Sequence, residues 1–331
     1  MTTSTTLVPT AQQPLQYLPI ALFGSIMGLT GLSSAWRIAH AHFGVPAWIY
    51  QVIGAIAVVS FVVLLCAYGV KFVFSPEAVR AEFNHPIASN LFATLIISML
   101  LIPLVIAPVV LWLAQALWAI GVVAMILFAW RTVDRWLSNL QAPEHATPAW
   151  VVPVVGLLDV PLAMPVLELP PELQILRLAG LTIGLFFAVP LFTLILARLM
   201  FQPRMPPALQ PTLLILLAPF SVGVSAYVVT VGHIDMFTEA LYLLAIFMLV
   251  VLAGQLRSLL RACPFRVGWW AVSFPLASMA IAGMRMVDVF QSPVADALAW
   301  VLLALATLVI AWLAWRTLSG VARGELKALT A

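Results

Sequence analysis

The stretch Trp269-Trp270-Ala271-Val272-Ser273-Phe274-Pro275-Leu276-Ala277-Ser278-Met279-Ala280 decides how this chain is read. It is almost wholly apolar, yet a helix breaker, Pro275, stands inside it with the aromatic Phe274 beside it. If the stretch crosses a bilayer, the broken helix leaves backbone groups without partners. Lipid cannot supply them, so breakers persist only against protein or a water-filled cavity. Phe274 is thereby placed to face, and to plug, a pore.

Composition supports the bilayer. Of 331 residues, 64% are apolar and 8% charged, and the mean hydropathy is +1.12. Soluble domains carry roughly a quarter charged residues, so the composition argues against a soluble fold. Residues 1–14 are polar and lack a basic n-region, so they do not read as a cleaved signal peptide. The formal charge of +3 says little about partners, because the basic residues are sorted by side; nothing suggests nucleic acid. Cys66 and Cys263 lie near different spans, without metal or CxxC spacing, and read as buried, unpaired thiols.

A crossing needs about 20 apolar residues at about 1.5 Å of rise each. Ten stretches qualify: 16–38, 47–74, 87–107, 109–131, 148–168, 174–200, 208–230, 236–260, 267–290 and 294–316. Residues 86–130 hold no charge; these 45 positions are too long for one crossing and fit two, broken near Pro103 and Pro108. Short connections make neighbouring spans antiparallel hairpins. The division is a tail at 1–15, a ten-span domain at 16–318 and a second tail at 319–331.

Orientation follows from Lys and Arg. The loops after even-numbered spans, the helix ends beside them and the C-terminal tail hold Lys71, Arg80, Arg131, Arg135, Arg198, Arg204, Arg257, Arg261, Arg266, Arg316, Arg323 and Lys327, 12 of the 15 basic residues. The other side holds Arg37, Arg177 and Arg285, among Glu168, Glu172, Asp235, Glu239, Asp288 and Asp296. Both tails are therefore expected in the cytoplasm.

The breakers are sorted as well. Odd spans carry Gly24, Gly28 and Gly31; Pro103; Pro153, Gly156, Pro161 and Pro165; Pro219 and Gly223; and Pro275 and Gly283. Even spans carry one interior proline, Pro190, and a few glycines. The simplest arrangement is five helical hairpins around a central pore, odd helices inside and even helices outside, with Pro219 and Pro275 as pore kinks. Gly24-x-x-x-Gly28 reads as a close-packing motif within the subunit.

The quoted stretch resembles the ninth span of the plant slow-type anion channels and their bacterial relative TehA, of the tellurite-resistance/dicarboxylate transporter family. Three others agree in order: Met27-Gly28-Leu29-Thr30-Gly31-Leu32-Ser33-Ser34-Ala35-Trp36, Val79-Arg80-Ala81-Glu82-Phe83-Asn84-His85-Pro86 and Ala218-Pro219-Phe220-Ser221-Val222-Gly223-Val224-Ser225-Ala226-Tyr227. The resemblance covers about residues 16–318. It implies a quasi-fivefold barrel of five hairpins per subunit, a homotrimer with a pore in each subunit, and a gating role for the phenylalanine matching Phe274.

An anion crossing such a path must exchange its hydration for hydroxyls, amides or a positive field, and weakly enough to escape. The odd spans offer Thr30, Ser33 and Ser34; Asn90, Thr94 and Ser98; Ser221 and Ser225; and Ser273 and Ser278 as candidates. Each hydroxyl can instead bond its own helix. Arg37 and Arg285, near outer span ends, either concentrate anions at a mouth or snorkel to headgroups. Asp159 is the misfit: an ionisable residue mid-span is a functional candidate by default. It is protonated, paired with a basic residue, or off the pore; in a proton-coupled carrier it is the titrating group.

His40 and His42 form a weak metal pair, read rather as solvated or capping residues. No GxSxG, HExxH, Walker A or dinucleotide fingerprint appears, so no enzyme is expected. Cofactors, prosthetic groups and metals are not implied. The expectation is a bacterial inner-membrane protein that conducts small anions such as chloride and nitrate passively, gated by Phe274. The alternative is a secondary carrier or exporter of C4-dicarboxylate or sulfite, with a link to tellurite resistance. A third class is a non-transporting resistance or scaffold protein.

Overall fold

The computed structural model describes residues 15–262 and 264–330, the side chains of 256–262 excepted. Most of the expected tail 1–15, and Cys263, lie outside the described residues. The described elements are all helical. They are α1 (Gly24–Phe43), α2 (Trp48–Phe74), α3 (Pro76–Asn84), α4 (Ala88–Ile106), α5 (Leu111–Ser138), α6 (Pro148–Val166), α7 (Pro171–Phe201), α8 (Pro207–Val231), α9 (Met236–Ala262), α10 (Val267–Phe290), α11 (Pro293–Ala322) and α12 (Leu326–Thr330). Nine of them, α2 and α4 to α11, are long and apolar enough to cross a membrane, and the chain is a multi-pass membrane protein. The helix at the first expected crossing, α1, is not among the nine; its serines, glycines, Arg37, His40 and His42 make it less apolar.

Local chemistry sets the ends. Proline opens α3, α6, α7, α8 and α11, where its missing N–H has no intrahelical acceptor to lose. The side chain of Ser292 accepts from the Ala295 amide at 3.2 Å to cap α11. Gly44 and Gly232, at φ of 66° and 87°, end α1 and α8 in the left-handed region that glycine enters without a Cβ penalty. Hydropathy alone ended the last span at 316, but α11 runs on to Ala322, because a helix continues past the apolar band into the polar interface.

Two kinds of membrane helix are present. The even-numbered expected spans, α2, α5, α7, α9 and α11, contain no 3₁₀ stretch apart from a single turn at Pro171–Gln174. The others change type along their length. A 3₁₀ turn, Ile20–Phe23, leads into α1; α8 is 3₁₀ over Pro207–Leu217 and α-helical over Ala218–Val231; α10 is 3₁₀ over Val267–Val272 and α-helical over Ser273–Phe290. Pro219 and Pro275 both sit in the first turn of the α-helical portion, directly after the 3₁₀ stretch, and each withdraws one donor from a continuing helix. The two expected kinks are thus junctions between helix types. In α6, where Pro153, Pro161 and Pro165 remove donors, most of the segment is 3₁₀.

Burial separates the same two sets. In α4, α6, α8 and α10, 56% to 83% of the apolar window is buried, against 22% to 33% in α2, α5, α7, α9 and α11. Twelve of the 20 residues of α1 are buried. Contacts close a ring: α1 touches α4, α4 touches α6, α6 touches α8, α8 touches α10, and α10 returns to α1. Each of the other five packs on the ring helix before it and on the one after it. Their far faces expose large apolar side chains such as Trp112, Phe186 and Phe247, which suits lipid. Cys66 is exposed on such a helix, α2, so its thiol is not the buried one composition suggested.

Close backbone approach joins α1 to α10. A Cβ on Gly28 would overlap the Ser273 side chain, and one on Gly31 would come within 2.9 Å of the Ala277 Cβ. The small-residue motif of α1 therefore packs inside the subunit. At the end rich in Lys and Arg, Lys71 Nζ donates to Glu82 Oε2 at 2.6 Å and to the Leu18 carbonyl at 2.7 Å, while Glu82 Oε1 accepts the Ile20 amide at 2.6 Å. This buried network ties α2, α3 and the entry to α1 together.

Candidate functional site

Two cavities lie within the ring, one of about 140 Å³ and one of about 90 Å³. Every residue bordering either one comes from α1, α4, α6, α8, α10 or the 3₁₀ turn before α1. The larger, inner cavity is formed by the first halves of these helices, among them Gly24, Thr94, Val155, Thr212 and Trp270. The outer cavity is formed by their second halves, among them Ser34, Leu104, Leu162, Ser225 and Ser278. Two residues border both: Phe274 and Val222. The Phe274 side chain is buried, and its ring edge lies beside Gly31, whose added Cβ would stand 3.5 Å from Cδ2.

The inner cavity is mainly apolar. Its polar side chains are Thr94, Thr212 and Asp159, and Asp159 is its one ionisable residue. Thr94 Oγ1 donates to the Leu91 carbonyl at 2.7 Å, and Thr212 Oγ1 to that of Leu209 at 2.5 Å. Asp159 is 2% exposed, and its Oδ1 has no hydrogen-bond partner. Among the described residues no basic side chain forms an ion pair with it. Asp159 thus borders the inner cavity, with its carboxyl buried.

The outer cavity is the polar one. Ser34, Ser225 and Ser278 border it, and so do both Arg37 and Arg285. Snorkelling away from the ring does not describe these arginines. Arg37 Nη1 donates to the Leu104 carbonyl at 3.2 Å. Arg285 Nε and Ser225 Oγ are buried without a partner. No carboxylate borders this cavity.

The remaining polar candidates border neither cavity. Ser33 Oγ donates to the Tyr50 carbonyl at 2.7 Å and ties α1 to α2. Asn90 donates to the Pro86 carbonyl at 3.1 Å and accepts from Arg135 at 3.2 Å. Ser273 Oγ donates to the Trp270 carbonyl at 2.7 Å, and Ser221 Oγ lies 2.6 Å from Ser278 Oγ. Thr30 is fully buried, with its hydroxyl unpartnered. Of the two prolines, Pro219 borders neither cavity and Pro275 borders the inner one. Of these hydroxyls, Ser221 and Ser273 bond their own helix, whereas Ser33 bonds another and Thr30 none.

The histidines have local partners. His85 Nδ1 accepts the Ala88 amide at 3.0 Å, at the start of α4. His40 donates to the Val45 carbonyl at 2.6 Å, and His42 pairs with Asp288 at 3.2 Å. Among the described residues no three His, Cys, Asp or Glu side chains cluster as a metal site would require. Sequence reading passed over Val222, because an apolar residue on a buried helix carries no signal of what it borders.

A family model described as SLAC1, voltage-dependent anion channel, matches residues 17–318. The chain is 29% identical over 305 residues to the S-type anion channel SLAH3 of Arabidopsis thaliana, covering 88% of this chain and 46% of the plant protein; it thus spans about half that protein's length. It is 26% identical over 265 residues to an uncharacterized transporter of Methanocaldococcus jannaschii, covering 72% and 76% of the two. It is also 27% identical over 289 residues to a tellurite resistance protein TehA homolog of Haemophilus influenzae, covering 80% and 79%.

Proposed function

The chain belongs to the SLAC1 family of voltage-dependent anion channels, and on that premise we propose that it conducts small anions such as chloride and nitrate passively, with Phe274 as the gate. The family consists of channels and transporters rather than enzymes, and its model and its plant relative are named as anion channels, which supports anion transport in general. One observation carries the finer reading: the buried ring of Phe274 is a common wall of two cavities lined by the ring helices and the 3₁₀ turn that leads into α1. Ten crossings in five hairpins, the odd ones inward, fit the burial and the contacts. The end rich in Lys and Arg faces the cytoplasm of a bacterial inner membrane. The homotrimer rests on resemblance.

Planar-bilayer recording tests the gate. Phe274→Ala removes the larger part of the wall that Phe274 and Val222 share and raises unitary anion conductance at least tenfold. Unchanged current from properly inserted protein sinks the assignment.

The second reading is a proton-coupled carrier or exporter of C4-dicarboxylate or sulfite, from which any tellurite resistance would follow. Asp159 favours it, as an unpaired carboxyl on the inner cavity. In proteoliposomes such a carrier shows saturable, pH-dependent exchange that Asp159→Asn uncouples. A channel shows ohmic current almost indifferent to that substitution.

A further inference from the structure

The outer cavity carries more positive charge than a passive path needs. From α1 comes Arg37 and from α10 comes Arg285, and both border the same space of about 90 Å³. Like charges held in a low-dielectric interior are costly without a counter-charge. None borders the cavity: the acid one turn along α10, Asp288, is exposed and pairs with His42. Donors are left over as well. Arg285 Nε and Ser225 Oγ are buried and unpartnered. The nearby hydroxyls of Ser34 and Ser278 are already donated to the Thr30 and Pro275 carbonyls.

What satisfies two guanidiniums and an orphan hydroxyl is an acceptor-only group with several oxygens, because the planar fork of arginine matches an oxyanion bidentately. We propose that the outer cavity is a binding site for one small inorganic oxyanion, held by Arg37, Arg285 and Ser225 against the outer face of the Phe274 ring. This rests on the reading of the two cavities as an anion path and adds its outer binding station. The volume admits such an ion with a few waters, since one water needs about 10–15 Å³ of such space. The site loads from outside while the ring is shut, and its ion is the first to pass when the ring moves.

Selenate is the probe, read by its anomalous scattering in crystals of the full chain and by calorimetric titration of the purified protein. The expected result is one selenium peak within hydrogen-bond distance of Arg285. Arg37→Gln and Arg285→Gln each weaken selenate binding at least tenfold, Ser225→Ala weakens it less, and Arg285→Lys retains part of it. The serine and lysine variants keep the test decisive if a glutamine variant misfolds. No peak in the wild type, or unchanged binding in all variants, overturns the site. Bromide density without selenate density overturns the oxyanion assignment. Anion flux without selenate binding removes the site and leaves the channel reading standing; selenate binding without flux does the reverse.

Discussion

A Cβ on Gly31 would stand 3.5 Å from Cδ2 and 3.7 Å from Cε2 of Phe274, and 2.9 Å from the Cβ of Ala277. The ring edge therefore lies beside bare backbone, and α1 approaches α10 as closely as it does because no side chain intervenes. Gly31→Ala forces the two helices apart, since neither an alanine methyl nor a helix backbone can fold away. Overpacking of this kind costs about 1–3 kcal/mol. We expect a lowered midpoint of thermal unfolding in detergent, and recovery when Ala277→Gly is added, because that second change removes the opposing Cβ. No recovery would place the strain elsewhere. The sequence made Phe274 conspicuous by setting it beside proline. It could not separate Ser225, which borders a cavity unpartnered, from Ser273, which is spent on the Trp270 and Gly24 carbonyls. Both read as a serine in an apolar span, and only the direction of the side chain distinguishes them.

At the scale of the element, the junction between α8 and α9 depends on one carboxylate. Asp235 Oδ1 accepts the Phe237 and Thr238 amides at 3.1 Å each, and Oδ2 accepts the Tyr227 hydroxyl at 2.7 Å. The Tyr227 hydrogen bond, followed by the Thr238 amide, holds the Asp235 carboxyl below its ordinary value, which is about 3.9. A depressed folded pKa means that the ionised cap stabilises the fold above the unfolded pKa, and that this contribution fades as pH falls through the lower folded value. Amide-exchange protection at Phe237 to Glu239 should therefore drop on acidification in the wild type. In Asp235→Asn, whose side chain does not titrate, the drop disappears; a drop that persists there would assign it to another group. Helix type belongs to this scale too. The prolines showed which spans are broken. That the breaks are passages from 3₁₀ to α-helix depends on where each carbonyl finds its donor, which composition does not record.

For the whole molecule, the sorting of 12 of 15 basic residues to one side yields a topology that labelling can check. With Cys66 and Cys263 replaced by serine, Asn139→Cys should react with a membrane-impermeant maleimide only from the cytoplasmic face, and Glu172→Cys only from the outer face. The reverse pattern would invert the protein. The sequence by itself determined the solvent and nine of the ten expected crossings, because burying helices in lipid requires long apolar stretches that a linear count detects. It also determined which spans are inner, since breakers survive only where protein or water can satisfy the backbone. It did not determine what the inner helices enclose. Arg37 and Arg285 are 248 positions apart in the chain, and as span-end residues each had an ordinary fate in the headgroups. Closing the ring from α10 back to α1 is what brings them to one cavity, and Asp159 to the other. Such meetings are decided by packing between distant segments, which no local pattern of residues encodes.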